Sequence, residues 1–414
     1  RSSLSEVVFR EEAGLYEIAT ASVRCGISKK DFLISFADRD GRVVNQDQTP
    51  MHWEENADFG GYYVYCTKKS GPDEHFYGLG DKATEFNLRG KRLRLWNSDT
   101  YAFGKDQDPL YRSIPFYTGL SGGKAYGLFF DNTFQSYFDF ASEDPEKVSF
   151  WSDGGELNYY YIHGPKMIDV VKRYASLTGT HAMPPLWALG YHQCRWSYYP
   201  ESKVKEIALE FRSRKIPCDA IYLDIDYMDG YRCFTWNKSH FPDPRRMIGE
   251  LAAAGFKVVT IVDPGIKVDD AYWVFREGKQ KKYFCRRSDD YFMEGYVWPG
   301  RCQFPDFTNP KVRKWWGKLF AELVDNGVAG VWNDMNEPAV FGKGTFPLDV
   351  RHNFDGHRGS HRKSHNIYGM QMVRATQEGL KKLQKNKRPF TITRAGYAGV
   401  QRYSSVWTGD NVAT

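Results

Sequence analysis

GVAGVWNDMNEPAVF, residues 327–341, is the stretch of the sequence that decides the fold. Its first half is an apolar run that predicts a buried strand, and Asp334 and Glu337 follow directly after it. Charge at the end of a buried strand is costly unless it is paired or used. Acids at the carboxyl ends of parallel strands are where a (β/α) barrel carries its chemistry. The segment therefore predicts one strand of such a barrel, with an acidic functional group at its end.

Strand and helix patterns alternate around this segment, which predicts a parallel sheet. The predicted strands cover residues 187–192, 219–227, 257–263, 328–332, 390–393 and 405–407, and the helices cover 202–215, 245–254, 311–326 and 367–383. Two long connections, near 264–310 and 337–365, leave from strand ends, as loops that shape binding sites do. We therefore expect an incomplete (β/α)8 TIM-type barrel at residues 185–414, with about six of its strands present.

Residues 1–165 have a different pattern, in which short aromatic and β-branched runs alternate with Gly, Asp, Asn and Pro clusters. Such a pattern predicts an amino-terminal β-sandwich. Residues 166–184 are predicted to form a helical linker to the barrel. The G-x-G match at 78–80 is followed by no helix, so it predicts a turn and not a dinucleotide site.

Composition excludes several classes of protein. A net charge of +6 over 414 residues is mild, so we expect no nucleic-acid partner, and no apolar run is long enough to predict a membrane span. Aromatic residues make up 16% of the chain, as in proteins that stack rings on sugars or bases, although such rings also fill cores. The seven cysteines contain no C-x-x-C pair, and we expect no metal or other cofactor. Cys285 and Cys302 could form a disulfide in an oxidising compartment.

A second acid occurs in the same kind of position. WTGDN at residues 407–411 places Asp410 just after a β-rich run, and TITR at 391–394 ends a predicted strand with Arg394. Glycoside cleavage through a covalent intermediate needs two carboxyl groups about 5–5.5 Å apart, one ionised and one protonated. Asp334 and Asp410, at two strand ends of one barrel, are the candidates.

With these residues the chain resembles glycoside hydrolase family 31, the retaining α-glucosidases. WNDMNEP is similar to the nucleophile motif of that family and WTGDN to its acid/base motif, with Arg394 at the family's distance from Asp410. The order of IYLDIDYMDG, IVDPGI, VWPG and FPDFTNP also agrees, so the resemblance covers nearly the whole chain. It implies that Asp334 is the nucleophile, which must stay ionised, and that Asp410 is the general acid/base, which must hold a proton.

The resemblance also implies a cradle for one glucose unit. Carboxylates and a guanidinium would bind its hydroxyls, and aromatic or apolar side chains would cover its C–H face. The implied substrate-binding residues are Asp99, Trp196, Asp224, Ile266, Trp298, Trp332, Met335, Arg394 and Trp407.

Several neighbouring residues have plainer interpretations. Asp226 lies two residues after Asp224 in a predicted strand, so both would face one way, and either could be the internal partner of an arginine. Glu337 is interpreted as an orienting partner for Asp334 or as a backbone brace. Asp306 would cap the helix from Lys311 or brace its loop. The histidines between residues 357 and 365 would brace the loop before a helix.

The expected activity is that of a retaining exo-α-glucosidase acting on terminal non-reducing glucose of oligosaccharides. The alternatives are an α-glucosyltransferase with the same carboxylate pair, or a carbohydrate-binding homologue that has lost turnover. The family pattern continues beyond residue 414, so we expect a second polypeptide, or a further part of the same protein, to complete the barrel. We expect residues 1–414 alone to fold poorly and to be inactive. Oligomerisation stays open, as does the compartment, and secreted, periplasmic and other secretory locations are compatible with the sequence.

Overall fold

A computed structural model describes residues 6–412 and contains two compact units. The first comprises the described residues up to Trp96, Ala102–Gly179 and those after Asp410. The second comprises Asn97–Tyr101 and Thr180–Asp410.

The first unit is built from antiparallel strands and one helix. Its elements are β1 (Val8–Glu11), β2 (Leu15–Ala19), β3 (Val23–Ser28), β4 (Ile34–Asp38), β5 (Val43–Glu55), β6 (Tyr62–Lys69), β7 (His75–Gly80), β8 (Arg92–Leu95), β9 (Arg112–Ser121), β10 (Lys124–Phe130), β11 (Ser136–Phe140), β12 (Lys147–Ser152), β13 (Tyr159–His163) and α1 (Met167–Thr178). One sheet has the order β1-β2-β3-β4-β5-β6-β12-β11-β8, and the other joins β13, β10, β9 and β7. Helix α1, in the stretch predicted as a linker, packs against β9, β10 and β13.

Aromatic rings fill the space between the two sheets. Phe130 of β10 lies 5.1 Å from Phe150 of β12, and Tyr117 of β9 lies 5.1 Å from Phe140 of β11, measured between ring centroids. All four rings are fully buried. Alternation along each strand directs these side chains inward, and their burial stabilises the stack of two sheets. The predicted β-sandwich is therefore confirmed.

The second unit contains a parallel sheet whose strands alternate with helices. Its elements are β14 (His192–Gln193), α2 (Glu201–Ser213), β15 (Ala220–Leu223), α3 (Pro244–Ala253), β16 (Lys257–Val262), β17 (Ile266–Lys267), α4 (Trp273–Gln280), β18 (Glu294–Val297), β19 (Gly300–Gln303), α5 (Pro310–Leu319), α6 (Ala321–Asp325), β20 (Gly330–Asn333), β21 (Arg351–His352), β22 (Gly359–Ser360), α7 (His361–Leu383), β23 (Phe390–Thr393), β24 (Gly396–Tyr397) and β25 (Ser405–Val406). The parallel order is β14-β15-β16-β20-β23-β25, six strands in the described part of the chain. Because neighbours in this sheet follow one another along the chain, the predicted partial (β/α) barrel is confirmed.

Some element boundaries differ from the prediction. The predicted strand 187–192 is mostly a 3-10 turn at Leu186–Leu189, because a short apolar run beside prolines does not distinguish a strand from a helical turn. The predicted helix 311–326 is two helices, α5 and α6, with a break at Phe320. Helix α7 begins six residues before its predicted start, since its first turns bury histidines instead of showing an apolar stripe.

The long connection 264–310 is not an open loop. It contains α4 and a three-stranded antiparallel sheet of order β17-β19-β18. All the cysteines are free thiols, so Cys285 and Cys302 do not form the disulfide that the sequence allows. Cys285 lies against His352 and Cys302 beside Gly265, so the two thiols face different neighbours. In residues 6–412, none of the helices is both long and apolar enough to span a bilayer.

Helices α5 and α7 approach closely through two glycines, and this contact gives a stability prediction. A Cβ atom on Gly317 would lie 2.8 Å from the Cα atom of Gly379. We expect Gly317→Ala to lower the free energy of unfolding by about 1–3 kcal/mol, because the helices would have to move apart.

Gly249 of α3 is the matched control: it is exposed and has open space where a Cβ would be. Gly249→Ala should stabilise the protein by about 0.5–1 kcal/mol. Urea unfolding of both variants tests the pair, and equal effects would contradict the packing argument.

Candidate active site

Charged residues directly follow four neighbouring strands of the parallel sheet. Asp224 follows β15, Asp263 follows β16, Asp334 follows β20 and Arg394 follows β23. The carboxyl ends of parallel strands lie at one edge of the sheet, so these side chains come together there. Asp410 follows β25 by four residues and lies at the same edge, since it contacts Arg394.

Local contacts fix the backbone that carries these groups. The side-chain amide of Asn336 donates to Thr393 Oγ1 (3.0 Å) and its oxygen accepts from the Ala395 amide (3.1 Å), which ties the end of β20 to the end of β23. Met335 has a φ of 55°, a left-handed conformation that is uncommon outside glycine and is often found at functional sites. Gly409 has a φ of 80°, which the absence of a side chain allows, and it turns the chain into the second predicted acid.

Arg394 is the centre of the cluster. Its guanidinium forms two hydrogen bonds with Glu337, from Nε to Oε1 (2.9 Å) and from Nη2 to Oε2 (2.8 Å). It also lies 3.0 Å from Asp334 Oδ1, 3.0 Å from Asp410 Oδ2 and 3.4 Å from Asp99 Oδ1. The arginine side chain is 2% exposed. One buried cation therefore contacts four carboxylates, two of which are the predicted catalytic pair.

The two predicted catalytic acids differ in their surroundings. The Asp334 side chain is 11% exposed, whereas that of Asp410 is 40% exposed. Glu337, interpreted from the sequence as a partner of Asp334 or a backbone brace, instead forms a bidentate pair with Arg394. It therefore orients the guanidinium that touches both acids.

Burial of several acids at one site has a clear electrostatic consequence. Burial raises the pKa of Asp99 and that of Asp224 to about 6, and it raises the pKa of Asp263 to about 7. Burial also raises the pKa of Asp334, which the Arg394 guanidinium opposes. Neighbouring negative charges add to each of these shifts. The guanidinium is thus the main group that opposes the rise in the pKa of Asp334 and favours its ionised form.

Asp224 and Asp226 do not share a strand face, contrary to the sequence interpretation. Strand β15 ends at Leu223, and Asp224 Oδ1 accepts a hydrogen bond from the amide of Ile225 (2.7 Å), which starts a 3-10 turn. Asp226 accepts from the indole Nε1 of Trp196 (3.2 Å). Asp226 therefore positions an aromatic ring, while Asp224 stays with the acids at the strand ends.

The tryptophan side chains that are predicted to bind the sugar form two groups. Trp196 and Trp298 lie 5.7 Å apart, and Phe341 packs edge-to-face on Trp298 at 5.0 Å. These three side chains are 64%, 38% and 42% exposed, which leaves their faces open to a ligand. Trp332 and Trp407 form a separate edge-to-face pair at 5.5 Å.

Two other predicted wall residues are buried. Ile266 is 0% exposed and lies in the main core of the second unit. Met335 is 3% exposed, and its sulfur lies 3.3 Å from Arg394 Nη2. Sequence reasoning missed Asp263 and Phe341 as site residues. Asp263 is the last residue of the predicted strand 257–263, and that position was the available signal, whereas Phe341 lies in a loop without a local pattern.

Asp306 braces a loop and does not cap a helix. Its carboxylate accepts from the Thr308 amide (3.1 Å) and hydroxyl (2.6 Å) and from the Asn353 amide (2.7 Å). The cap of α5 is Asn309. Across residues 6–412, Cys285, Asp306 and His352 are the one group of such side chains close enough to share a metal ion. The acids at the strand ends are not members of this group.

The buried carboxyl of Asp263 gives a pH prediction. Its pKa in the folded protein is raised, so it stabilises the fold below pH ~4 and loses that contribution as pH rises through about 7. Asp263→Asn removes the buried charge and should raise the free energy of unfolding at pH 8 by about 1–3 kcal/mol. At pH 5 the difference should be small. Thermal unfolding at both pH values tests this, with the exposed Asp270→Asn as control. An equal effect of Asp263→Asn at both pH values would contradict it.

Comparison with known proteins places this geometry in a family. The model of the glycosyl hydrolases family 31 TIM-barrel domain matches residues 181–414, and that of the glycosyl hydrolase 31 N-terminal galactose mutarotase-like domain matches residues 1–139. Alpha-glucosidase 2 of Bacillus thermoamyloliquefaciens is 45% identical over 389 residues, which are 93% of this chain and 48% of that protein. An alpha-glucosidase of Saccharolobus solfataricus is 38% identical over 85% of this chain and 53% of its own length.

Comparison with solved structures leads to the same family. The GH31 dextranase of Flavobacterium johnsoniae, complexed with glucose, superimposes with a TM-score of 0.90 at 36% identity, over 98% of this chain and 49% of that one. The glucosidase II alpha subunit superimposes with a TM-score of 0.91 at 31% identity, over 99% of this chain and 50% of that one. The chain spans about half the length of the curated relatives it matches. On its two domain matches and its motifs, the chain belongs to glycoside hydrolase family 31.

Proposed function

We propose that the protein is a retaining exo-α-glucosidase, which removes terminal non-reducing α-linked glucose by double displacement through a covalent glucosyl-enzyme. The observation that carries this proposal is the contact of both Asp334 and Asp410 with one buried guanidinium, that of Arg394. Two carboxyl groups of unequal exposure beside one cation are the groups that the mechanism needs. The alpha-glucosidases among the relatives support the same reaction.

The two acids divide the work according to their surroundings. Asp334 is the more buried and would attack the anomeric carbon, a role that needs the ionised form that Arg394 stabilises. Asp410 is the more exposed, where a leaving group and then a water molecule can reach it. It would donate a proton to the glycosidic oxygen, and then take one from the water that hydrolyses the glucosyl ester.

The remaining predicted residues would bind the glucose unit. Asp224 is a buried acid at the site, and the side chain of Asp99 is 25% exposed. With Arg394, both would accept from and donate to sugar hydroxyls. The exposed rings of Trp196 and Trp298 would cover the C–H face of a sugar, and the pair Trp332–Trp407 would form a second wall. Met335 contacts Arg394 and Ile266 lies in the core beneath the loops, so both would shape the cradle from behind.

The linkage preference is a finer part of the proposal. The relatives include alpha-glucosidases and a GH31 dextranase complexed with glucose, and these names do not specify one linkage. The substrate class we propose is therefore oligosaccharides with terminal α-linked glucose. Parallel assays with maltose, nigerose and isomaltose would rank α-1,4, α-1,3 and α-1,6 linkages.

The intact protein that carries these 414 residues, purified and given p-nitrophenyl α-D-glucoside and maltose, tests the proposal. Proton NMR in the first minutes should show α-glucose as the initial product, because two inversions restore the configuration. Initial β-glucose would overturn the retaining mechanism. Binding without release would favour a carbohydrate-binding homologue, and transfer of glucose to maltose in excess over hydrolysis would favour a glucosyltransferase.

A further inference from the structure

A chain of buried histidines connects the second long insertion to the segment that carries Asp99. His352 Nε2 lies 3.1 Å from His361 Nδ1, and His361 Nε2 lies 2.9 Å from His365 Nδ1. At one end, His352 Nδ1 lies 3.2 Å from a carboxylate oxygen of Asp306. At the other end, His365 Nε2 lies 2.7 Å from the carbonyl oxygen of Asn97. The three histidines are at most 3% exposed.

Counting protons along this chain shows that three neutral rings cannot complete it. Both ends are acceptors, and four consecutive hydrogen bonds require four protons, whereas three neutral imidazoles carry three. All four links are filled when His365 and His361, as neutral rings, donate from Nε2 and His352 donates from both nitrogens. Thr345 Oγ1 lies 3.2 Å from both His361 Nε2 and His365 Nδ1, but its single proton cannot serve both.

The extra proton belongs on His352 and not on Asp306. The Asp306 carboxylate already accepts three hydrogen bonds from Thr308 and Asn353, which favour its ionised form. His352 lowers the pKa of Asp306 despite burial of the carboxyl, and burial holds the pKa of His361 well below its usual value. The paired charges sum to zero, so the buried pair avoids an uncompensated charge.

The other groups that face His352 are neutral. Cys285 Sγ lies 3.8 Å from its Nδ1, and burial raises the pKa of that thiol. The Tyr368 ring lies edge-on at 6.3 Å, burial raises the pKa of its hydroxyl, and that hydroxyl donates to the Pro305 carbonyl. Neither group competes with Asp306 for the proton.

The far end of the chain leads to the candidate active site. The carbonyl of Asn97 contacts His365. The backbone amide of Asn97 donates to Asn366 Oδ1 (2.9 Å), and its side-chain amide donates to the Asn366 carbonyl (3.0 Å). Asp99, two residues on, lies 3.4 Å from Arg394. The direction of the hydrogen bonds at Asn97 therefore bears on where Asp99 sits.

We propose that His352 is a buried histidinium paired with Asp306, and that the resulting one-way chain through His361 and His365 positions the Asn97–Asp99 segment for sugar binding. The three histidines and Asp306 are positioning residues in this proposal. The second half of the proposal rests on the proposed glucosidase function, whereas the first half does not.

A neutron crystal structure of the purified protein at neutral pD tests the first half without an assay. We expect deuterium on both ring nitrogens of His352, and on Nε2 alone of His361 and His365. A single deuteron on His352 would overturn the proposal. So would a metal ion bound by Cys285, Asp306 and His352, since His352 Nδ1 cannot carry both a proton and a metal.

Kinetics with p-nitrophenyl α-D-glucoside test the second half. Asp306→Asn can donate from its amide to His352 Nδ1, so its chain needs no extra proton. His361→Phe breaks two links of the chain, so it should raise KM about 3- to 10-fold, the effect of about one hydrogen bond, with kcat little changed. Asp306→Asn should keep the wild-type KM, and so should Asp355→Asn, which alters the exposed partner of Arg313.

The outcomes separate the possible failures. A wild-type KM in His361→Phe would overturn the positioning role. If His361→Phe does not fold, His361→Gln, which keeps one donor and one acceptor, should retain the wild-type KM, and a raised KM in that variant would overturn the role equally. A wild type without glucosidase activity, combined with doubly deuterated His352, would refute the proposed function and leave the histidinium standing.

Discussion

Asp334→Ala is expected to lower kcat for the release of glucose from p-nitrophenyl α-D-glucoside by about 10⁴-fold or more. Without this carboxylate no glucosyl-enzyme can form, and Asp410 alone can only assist direct attack by water. The substitution should leave the backbone in place, because Asn336 ties the end of β20 to β23. Stopped assays of nitrophenol release measure kcat. Calorimetry of substrate binding tests whether the backbone of the site is still in place.

Azide distinguishes the roles of the two acids. In Asp334→Ala, azide can occupy the space of the lost carboxylate and should yield β-glucosyl azide by one inversion. In Asp410→Ala, a glucosyl ester still forms on Asp334, so azide should yield the α-azide by a second inversion. Asp410→Ala should also retain far more activity on the nitrophenyl glucoside than on maltose, because nitrophenol leaves without a proton donor.

Asp325→Ala is the matched control for both variants. Asp325 is exposed at the end of α6, in the stretch that leads into β20, so its loss should not change kcat. Near-normal turnover in Asp334→Ala would refute the nucleophile assignment. The same azide anomer from both acid variants would refute the division of roles, even if both were inactive.

Much of the site was predictable because its parts follow a local rule. Buried strands appear in the sequence as short apolar runs, and Asp334 and Arg394 follow two of them directly, so their positions could be predicted without a structure. The same rule applies to Asp263, which follows β16, so its position was equally predictable. Its burial and raised pKa depend on what surrounds it, and the sequence does not show that.

The rest depends on contacts between distant residues. The pairing of Glu337 with Arg394 joins positions 57 residues apart, so no local pattern indicates which group the glutamate orients. The early start of α7 was missed because its first turns bury His361 and His365, which bond to each other and to Thr345 instead of packing as an apolar stripe. The break of β15 at Leu223 depends on the side chain of Asp224 bonding to the next amide.

Arg394→Met is expected to lower the free energy of unfolding by about 3–5 kcal/mol at pH 7 and to abolish turnover. Methionine fills a similar volume, so the effect isolates the lost charge and hydrogen bonds. The substitution would leave Glu337, Asp334, Asp410 and Asp99 together without their shared cation. Some of these acids should then take up protons, and a protonated Asp334 cannot act as a nucleophile. Arg394→Lys keeps the charge but loses the bidentate pair with Glu337. Its free energy of unfolding and its turnover should therefore lie between those of Arg394→Met and the wild type.

The pH dependence decides whether electrostatics is the cause. Loss of the guanidinium should raise further the folded-state pKa of Asp99 and Asp334, since Arg394 is the group that opposes their upward shifts. Groups with raised pKa values stabilise the fold below pH ~4 and lose that contribution as pH rises. The loss of free energy of unfolding caused by Arg394→Met should therefore be smaller at pH 5 than at pH 8. Arg313→Met, which removes another buried arginine but one paired with a single exposed aspartate, should cost about 1–3 kcal/mol with little dependence on pH in this range. If urea unfolding shows the same loss of free energy for Arg394→Met at pH 5 and pH 8, the effect is one of packing, and the arginine is not what opposes the rise in the pKa of Asp334.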